Sequence, residues 1–457
     1  MARALMVLDV VGLTPGLLSR MPRIRSVAEK GFIAPLAPPL PAVTCSSQAT
    51  ILTGTAPREH GVVGNGWCFR DLAEVWLWRQ SNRLVERPWV YETAKARDRS
   101  FTCAKMFWWF NMHAAVDWAV TPRPAYLADG RKLPDIWTDP PELKEEFAPA
   151  LGTFPLFEFW GPGAGIASSR WIADASRAVL ERHAPRLALV YLPHLDYDLQ
   201  RYGPDDPRSL AAASEIDAVA GDLIDAARSR GYEILVLSEY GITAVSGAVH
   251  PNRILREAGL LSARRNATGE LLDIGGSRAF AVADHQIAHI YVRDRSDLPA
   301  ARIALEKADG VERVLDEAGK RTEGLDHPRA GELVAIAAPD RWFTYYYWLD
   351  DALAPDFART VDIHKKPGYD PCELFLDPRI PAVKTKIAWT LFKKAMGFRT
   401  RLDVIPLDAS LVKGSHGRRP ARDEDGAVIL SSISEGARDR FRMEDVSGLI
   451  LSRLGLA

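Results

Sequence analysis

Thr44 stands in the run Pro41-Ala42-Val43-Thr44-Cys45-Ser46-Ser47-Gln48-Ala49-Thr50-Ile51-Leu52-Thr53-Gly54, where a loop gives way to a predicted helix ending near Gly54. A hydroxyl at a helix N-terminus lies beside unpaired amides and the positive end of the helix dipole. Those features favour a bound anion and would stabilise an alkoxide. From this stretch alone a plain helix cap is the commoner reading of such a Thr. The nucleophilic reading gains weight beside Asp9, Asp196, Glu239 and His416.

The elements that must position these groups are legible. Three short apolar runs have the character of buried parallel strands, and each leads to a carboxylate: Ala4 to Leu8 before Asp9, Leu187 to Leu192 before Asp196, Ile234 to Leu237 before Glu239. Between the second and third, Ser209 to Ser229 places Leu210, Ile216, Val219, Leu223, Ile224 and Ala227 largely on one helical face. A strand–helix–strand unit of this kind predicts an α/β fold, a doubly wound, mostly parallel sheet. Ligands of such sheets sit outside the carboxyl ends of the strands, so the three carboxylates should converge. From about Gly275 to Arg399 the pattern changes, with strands at Ala279 to Ala283, Ile287 to Val292 and Leu333 to Ala337 and a helix near Leu298 to Ala308. We expect an inserted α+β cap lobe over 275–399, and a core formed by 1–274 and 400–457 that closes with the helix Met443 to Leu454. The tryptophan-rich stretch from Trp67 to Trp160 is expected to lie partly over the site, its rings packing the core or cap.

The 457 residues suit one large core with a sizeable insertion. With 47% hydrophobic residues, and Lys+Arg at 58 against Asp+Glu at 59, the balance is that of a soluble globular protein without a polyanion-binding surface. No nucleic-acid polymer is expected as a partner. The four cysteines form no Cys-x-x-Cys pair, which fits a reducing compartment and speaks against a disulfide framework or zinc knuckle. The N-terminal run from Met1 is interrupted by Asp9, so it reads as the first core strand and not as a signal peptide. No segment reaches the roughly 18 apolar residues of a membrane span, and a cytoplasmic location is expected.

Read in order, the strand ending at Asp9, the segment Thr44 through Thr53-Gly54, Pro57-Arg58-Glu59-His60-Gly61, Asp196 followed by Tyr202-Gly203-Pro204, Ser238-Glu239-Tyr240-Gly241 and Ser415-His416-Gly417 resemble the nucleotide pyrophosphatase/phosphodiesterase family of the alkaline phosphatase superfamily. The resemblance implies two divalent metal ions, zinc by family habit, flanking a Thr nucleophile. Asp9, Thr44, Glu239 and Tyr240 would hold one ion, and Asp196, Gln200 and His416 the other. It also implies hydrolysis of a phosphodiester or pyrophosphate in a small phosphorylated substrate, through a phosphorylated Thr44 that water then releases.

The chain departs from the family pattern at three places. Gln200 stands where the family has His, Glu239-Tyr240 where it has Asp-His, and Ser47 where it has a phosphate-contacting Asn. Oxygen donors in place of imidazoles favour a harder ion such as Mn²⁺ or Mg²⁺, or a single retained metal. His194, His250 and His364 are candidate replacement ligands. His285 and His289, on one face of a predicted strand from Asp284 to Val292, read as structural, and Lys365, Lys366 and Lys413 read as solvated surface lysines, though they could reach an anion. The alternatives are a catalytically silent member that binds a phosphorylated ligand or partner, and a hydrolase of phosphomonoesters, phosphonates or sulfates. A sulfatase is disfavoured, because Cys45-Ser46-Ser47-Gln48-Ala49 lacks the Pro and Arg of the formylglycine motif.

Overall fold

The first apolar run becomes strand β1 (Leu5–Val10), buried along its whole length in the computed structural model, which describes residues 3–128 and 131–457. Met1 and Ala2 of the N-terminal run lie outside the described residues. Among the described residues, six more strands of the large sheet precede the change of pattern: β2 (Phe32–Ala37), β3 (Cys103–Met106), β4 (Trp118–Pro122), β5 (Ile136–Asp139), β6 (Leu187–Leu192) and β7 (Glu233–Leu237). Then follow β8 (Ala279–Asp284), β9 (Ile287–Val292), β10 (Val311–Leu315) and β11 (Leu333–Ala337), and last β12 (Ala427–Ser431) and β13 (Phe441–Arg442).

Among the described residues the large sheet has nine strands in the order β13-β2-β12-β7-β1-β6-β3-β4-β5. β1 pairs in parallel with both β6 and β7, which sets Asp9 level with Tyr191 on one side and Leu237 on the other. β12 runs antiparallel between β2 and β7, and β5 is an antiparallel edge. The sheet is therefore mostly parallel, as expected from near-continuous apolar runs covered on both faces.

Among the helices are α1 (Thr44–Thr53), α2 (Ile166–His183), α3 (His194–Tyr202), α4 (Pro207–Arg228), α5 (Val383–Ala395) and α6 (Met443–Arg453). α4 starts two residues before the sequence pattern suggested. Asp206 accepts the Arg208 amide at 2.9 Å and Pro207 takes the first helical position, a strong start signal. Ile216, Val219, Leu223, Ile224 and Ala227 are buried where α4 packs on α2 and β7. Each large aliphatic side chain so covered contributes about 1.5–3 kcal/mol. α1 packs on α6.

The second sheet is antiparallel, in the order β8-β9-β11-β10. Its apolar cluster also takes in Val245 to Leu261 and Val404 to Val412. The expected strand from Asp284 to Val292 is instead the corner and second arm of a hairpin. His285 has φ of 59°, a left-handed conformation that an extended strand does not accommodate, so β8 ends at Asp284 and β9 begins at Ile287. Cys45, Cys68, Cys103 and Cys372 are free and buried. Among the described residues no helix is long and apolar enough to cross a membrane.

Candidate active site

Three parallel neighbours deliver the carboxylates. Asp9 lies within β1, one residue before its end; Asp196 is in the first turn of α3, which follows β6; Glu239 comes two residues after β7. All three are buried at the carboxyl ends of adjacent strands, the site a doubly wound sheet offers. Thr44 arrives on α1. It is the first helical residue and not the cap: Val43 holds that position with an extended backbone and no side-chain bond. The hydroxyl is thus not used in capping, which removes the simple cap reading. The Cys45 amide donates to Asn65 Oδ1 at 3.0 Å, so that donor of the first turn is already taken.

Hydrogen bonds link the groups into one cluster. Thr44 Oγ1 lies 3.2 Å from Tyr240 Oη, and Tyr240 Oη donates to Asp196 Oδ1 at 3.2 Å. A phenol has one hydrogen, and a carboxylate only accepts; Thr44 is therefore the donor to Tyr240. Gln200, one turn after Asp196, donates to Asp196 Oδ2 at 2.7 Å and accepts from Tyr369 Oη at 3.0 Å. Gln48 Nε2 donates to Glu239 Oε1 at 2.6 Å and reaches Asp9 Oδ2 at 3.4 Å, while its Oε1 accepts the Trp109 amide at 2.7 Å. Ser47 Oγ donates to the Glu239 carbonyl and so steadies the backbone there.

His416 comes from the far end of the chain. Its Nδ1 donates to the Ala42 carbonyl at 2.9 Å, and the Gly417 carbonyl accepts the Ala42 amide at 2.8 Å, which fixes the loop against the approach to α1. Its Nε2 lies 4.0 Å from Asp196 Oδ1. Burial, followed by the nearby His285, holds the imidazole well below the usual histidine range, so it is neutral with a free lone pair on Nε2.

The same desolvation acts in the opposite direction on the acids. Asp196 is pushed up to about 7 by burial, against the pull of Gln200 and Tyr240. Glu239 is also pushed up to about 7 by burial, and Asp9 is raised well above the carboxylate range by burial and then by the charge of Glu239. Two carboxylates this close hold fewer than two negative charges near neutrality. Burial and the charges of Asp196 and Glu239 raise the Tyr240 phenol well above its ordinary value, so it stays protonated.

All seven residues expected around the ions, Asp9, Thr44, Asp196, Gln200, Glu239, Tyr240 and His416, belong to this cluster. The candidate replacement histidines do not join it. His194 turns to Glu215 at 3.0 Å, His250 bonds Thr344 at 2.7 Å and stacks on Tyr346, and His364 lies near Arg79, Lys132 and Asp362. His285 does join: its ring lies 3.7 Å from those of both His416 and Tyr369, and its Nδ1 bonds Asp284 Oδ1 at 2.8 Å. Asp284 also accepts from the Asn65 amide and side chain, so one carboxylate ties the hairpin corner to the start of α1. His289 bonds Val63 and Gly331 backbone and is structural, as expected.

Lys366 is not a solvated lysine. It is buried between Asp370 at 2.8 Å and Glu373 at 2.7 Å, so both of its partners are internal. Lys365 is exposed beside Asp362, and Lys413 caps the Ser410 carbonyl. Of the tryptophan-rich stretch, Trp78, Trp109 and Trp160 reach the site: Trp78 packs on Trp109 and Tyr369, and Trp160 lies 5.6 Å from Tyr369. Trp89 and Trp108 are core residues. Gln48 had a sequence signal, since it follows Thr44 by four residues on one helix face. Tyr369 and His285 had none.

Three buried polar atoms in the cluster lack hydrogen-bond partners: Asp9 Oδ1, Glu239 Oε2 and His416 Nε2. The first two suit a hard divalent ion, which takes oxygen ligands. Around Asp196 the fit is poorer, because Gln200 and Tyr240 already donate to its two oxygens and neither an amide nor a neutral phenol is a strong metal ligand. Among the described residues no group of three or more His, Cys, Asp or Glu side chains is arranged to hold a metal ion.

Residues 5–370 match the family model described as type I phosphodiesterase / nucleotide pyrophosphatase. An uncharacterized pyrophosphatase/phosphodiesterase of Schizosaccharomyces pombe is 23% identical over 303 residues, 64% of this chain and 53% of that protein, so the chain matches about half the length of this relative. Among solved structures, phosphonoacetate hydrolase of Sinorhizobium meliloti with phosphonoformate aligns at a TM-score of 0.60 and 14% identity, covering 99% of this chain and 96% of that one. Murine ectonucleotide pyrophosphatase/phosphodiesterase 5, in an inactive form with AMP, aligns at a TM-score of 0.60 and 13% identity over 100% of this chain and 96% of that one. The fold is alkaline phosphatase-like.

Proposed function

Because the chain belongs to the type I phosphodiesterase/nucleotide pyrophosphatase family, we propose that it hydrolyses a phosphodiester or pyrophosphate bond with Thr44 as nucleophile. The observation that carries this reading is the hydrogen-bond chain from Thr44 through Tyr240 to Asp196. As Thr44 Oγ bonds to phosphorus, its proton passes to Tyr240 Oη while the phenol proton passes to Asp196, a base whose affinity lies near the working pH. The bond to the leaving oxygen breaks, and that oxygen takes a proton from solvent. Water then attacks the phosphorus of the ester left on Thr44, gives a proton to solvent and releases a phosphomonoester, while Asp196 returns its proton through Tyr240 to restore the Thr44 hydroxyl.

Members of this family are typically dependent on divalent metals. Asp9 and Glu239, with Thr44, would hold one ion through oxygen, Mn²⁺ or Mg²⁺ before Zn²⁺. Such an ion supplies positive charge to the phosphoryl oxygens. Tyr240, Gln200 and His416 position Asp196 and Thr44 instead of completing a second site. The lobe over 275–399, with Trp78, Trp109 and Trp160, would select the leaving group of a small phosphorylated substrate, with phosphomonoesters and phosphonates as the alternative classes. The free buried cysteines support a reducing compartment, the cytoplasm.

A second reading has its own observation. Thr44 is 3% exposed, and Asp196 is satisfied within the protein, as in a silent member that binds a phosphorylated ligand or partner. Elemental analysis, then a bis-p-nitrophenyl phosphate assay with Zn²⁺, Mn²⁺ and Mg²⁺ added separately to stripped protein, divides the two. Metal-restored cleavage supports the hydrolase. No bound metal and no turnover with any ion supports the binding protein.

A further inference from the structure

α5 is poorly covered: Thr390 is its only buried residue. Trp389, Phe392 and Met396 follow one another at i, i+3 and i+7, spacing that an α-helix gathers on one face. Together with Leu391 and Phe398 they are between 52% and 64% exposed. Isolated exposed apolar residues are ordinary, but five within ten residues, three of them on one helical face, are a concentration of apolar surface that marks an interaction site. The Trp389 and Phe392 rings are stacked at 5.6 Å outside the core. Across a cleft of about 260 Å³ lined by Leu127, Lys394 and Phe398 lies the hairpin Ala125–Tyr126/Lys132–Leu133, whose exposed Tyr126 and Leu133 extend the patch.

Charge identifies the partner. In a chain of net charge −1, the stretch from Arg379 to Arg401 has seven basic residues and no Asp or Glu. Arg379, Lys386 and Arg401 turn to Asp377, Asp403 and Asp356. Lys384, Lys393, Lys394 and Arg399 flank the apolar arc, and among the described residues they form no salt bridge. Two copies meeting through this face would bring like charges together, whereas an anionic surface complements it. An apolar arc with Trp and Phe, bordered by lysines, is the pattern of a helix lying in a membrane interface. At 13 residues α5 is about 20 Å long, too short to span a bilayer.

We propose that this face docks peripherally on an anionic phospholipid bilayer, with Trp389, Phe392 and Met396 in the headgroup–acyl boundary and Lys393 and Lys394 against lipid phosphates. The test is flotation of the full chain with vesicles of phosphatidylcholine alone or with about one third phosphatidylglycerol, at low and high salt. The expected result is binding to the anionic vesicles only, weakened by salt, and reduced on the order of tenfold in both Trp389→Ser/Phe392→Ser/Met396→Ser and Lys393→Glu/Lys394→Glu. All five positions lie outside the core, and thermal melts check that each variant folds. Absence of wild-type binding to anionic vesicles at low salt overturns the proposal, as does unchanged binding by folded variants. Concentration-dependent self-association that the apolar variant abolishes, without vesicle binding, also overturns it and assigns the face to a second copy.

Discussion

The ring of Tyr240 lies flat against the imidazole of His416, with centroids 3.5 Å apart and planes within 7°. The stack holds the phenol oxygen between Thr44 and Asp196 and leaves His416 Nε2 without a partner. Where the resemblance to the family implies an imidazole, this chain has the Tyr240 hydroxyl.

Thr44→Ala is expected to abolish turnover while the protein stays folded. Thr44 does not cap its helix, and the lost hydrogen bond costs about 1 kcal/mol. Steady-state assay and a thermal melt check both parts; retained turnover would exclude Thr44 as nucleophile.

Tyr240→Phe should preserve the stack on His416 and remove only the relay atom. A drop in kcat on the order of 100-fold is expected, the scale of positioned acid–base groups. Full activity in this variant would mean that the Thr44 proton takes another route.

Gln200→His combined with Tyr240→His would return the two absent imidazoles. Divalent-ion affinity measured by calorimetry should rise at least on the order of tenfold, because neutral imidazole is a better donor than amide or phenol. Unchanged affinity would show that Asp196 and His416 cannot be made into an ion site by these changes alone.

Asp196 and Glu239 titrate near pH 7 in the folded chain and near 4 in an unfolded one. Each binds its proton more tightly when folded. The stability they contribute is therefore fully present below about pH 4 and is lost as pH rises through about 7, by at most about 1.4 kcal/mol for each tenfold gain in proton affinity on folding. The buried neutral histidines act with the opposite sign, so the carboxylate contribution is read from a difference: metal-free wild type should lose melting temperature relative to Asp196→Asn as pH rises from 5 to 8. A difference between the two proteins that does not change over this range would contradict the burial argument.

Gln48→Leu should destabilise by about 1–3 kcal/mol, since the Glu239 and Asp9 carboxylates and the Trp109 amide all lose a partner. Chemical denaturation measures it; a neutral result would mean that water replaces the amide.

Local pattern determined much of this protein. Apolar runs wrote β1, β6 and β7, the rule for parallel sheets brought Asp9, Asp196 and Glu239 together, and the Thr44 run began a helix as read. Those features depend on neighbours in sequence, where periodicity is informative. Tertiary structure alone decided that His285 turns at a hairpin corner onto His416, that Tyr369 reaches Gln200 across 169 residues, and that Lys366 is buried between two acids. Each is a contact between side chains from separate elements, set by how the two sheets and their loops pack. A lone histidine, tyrosine or lysine carries no local trace of that packing.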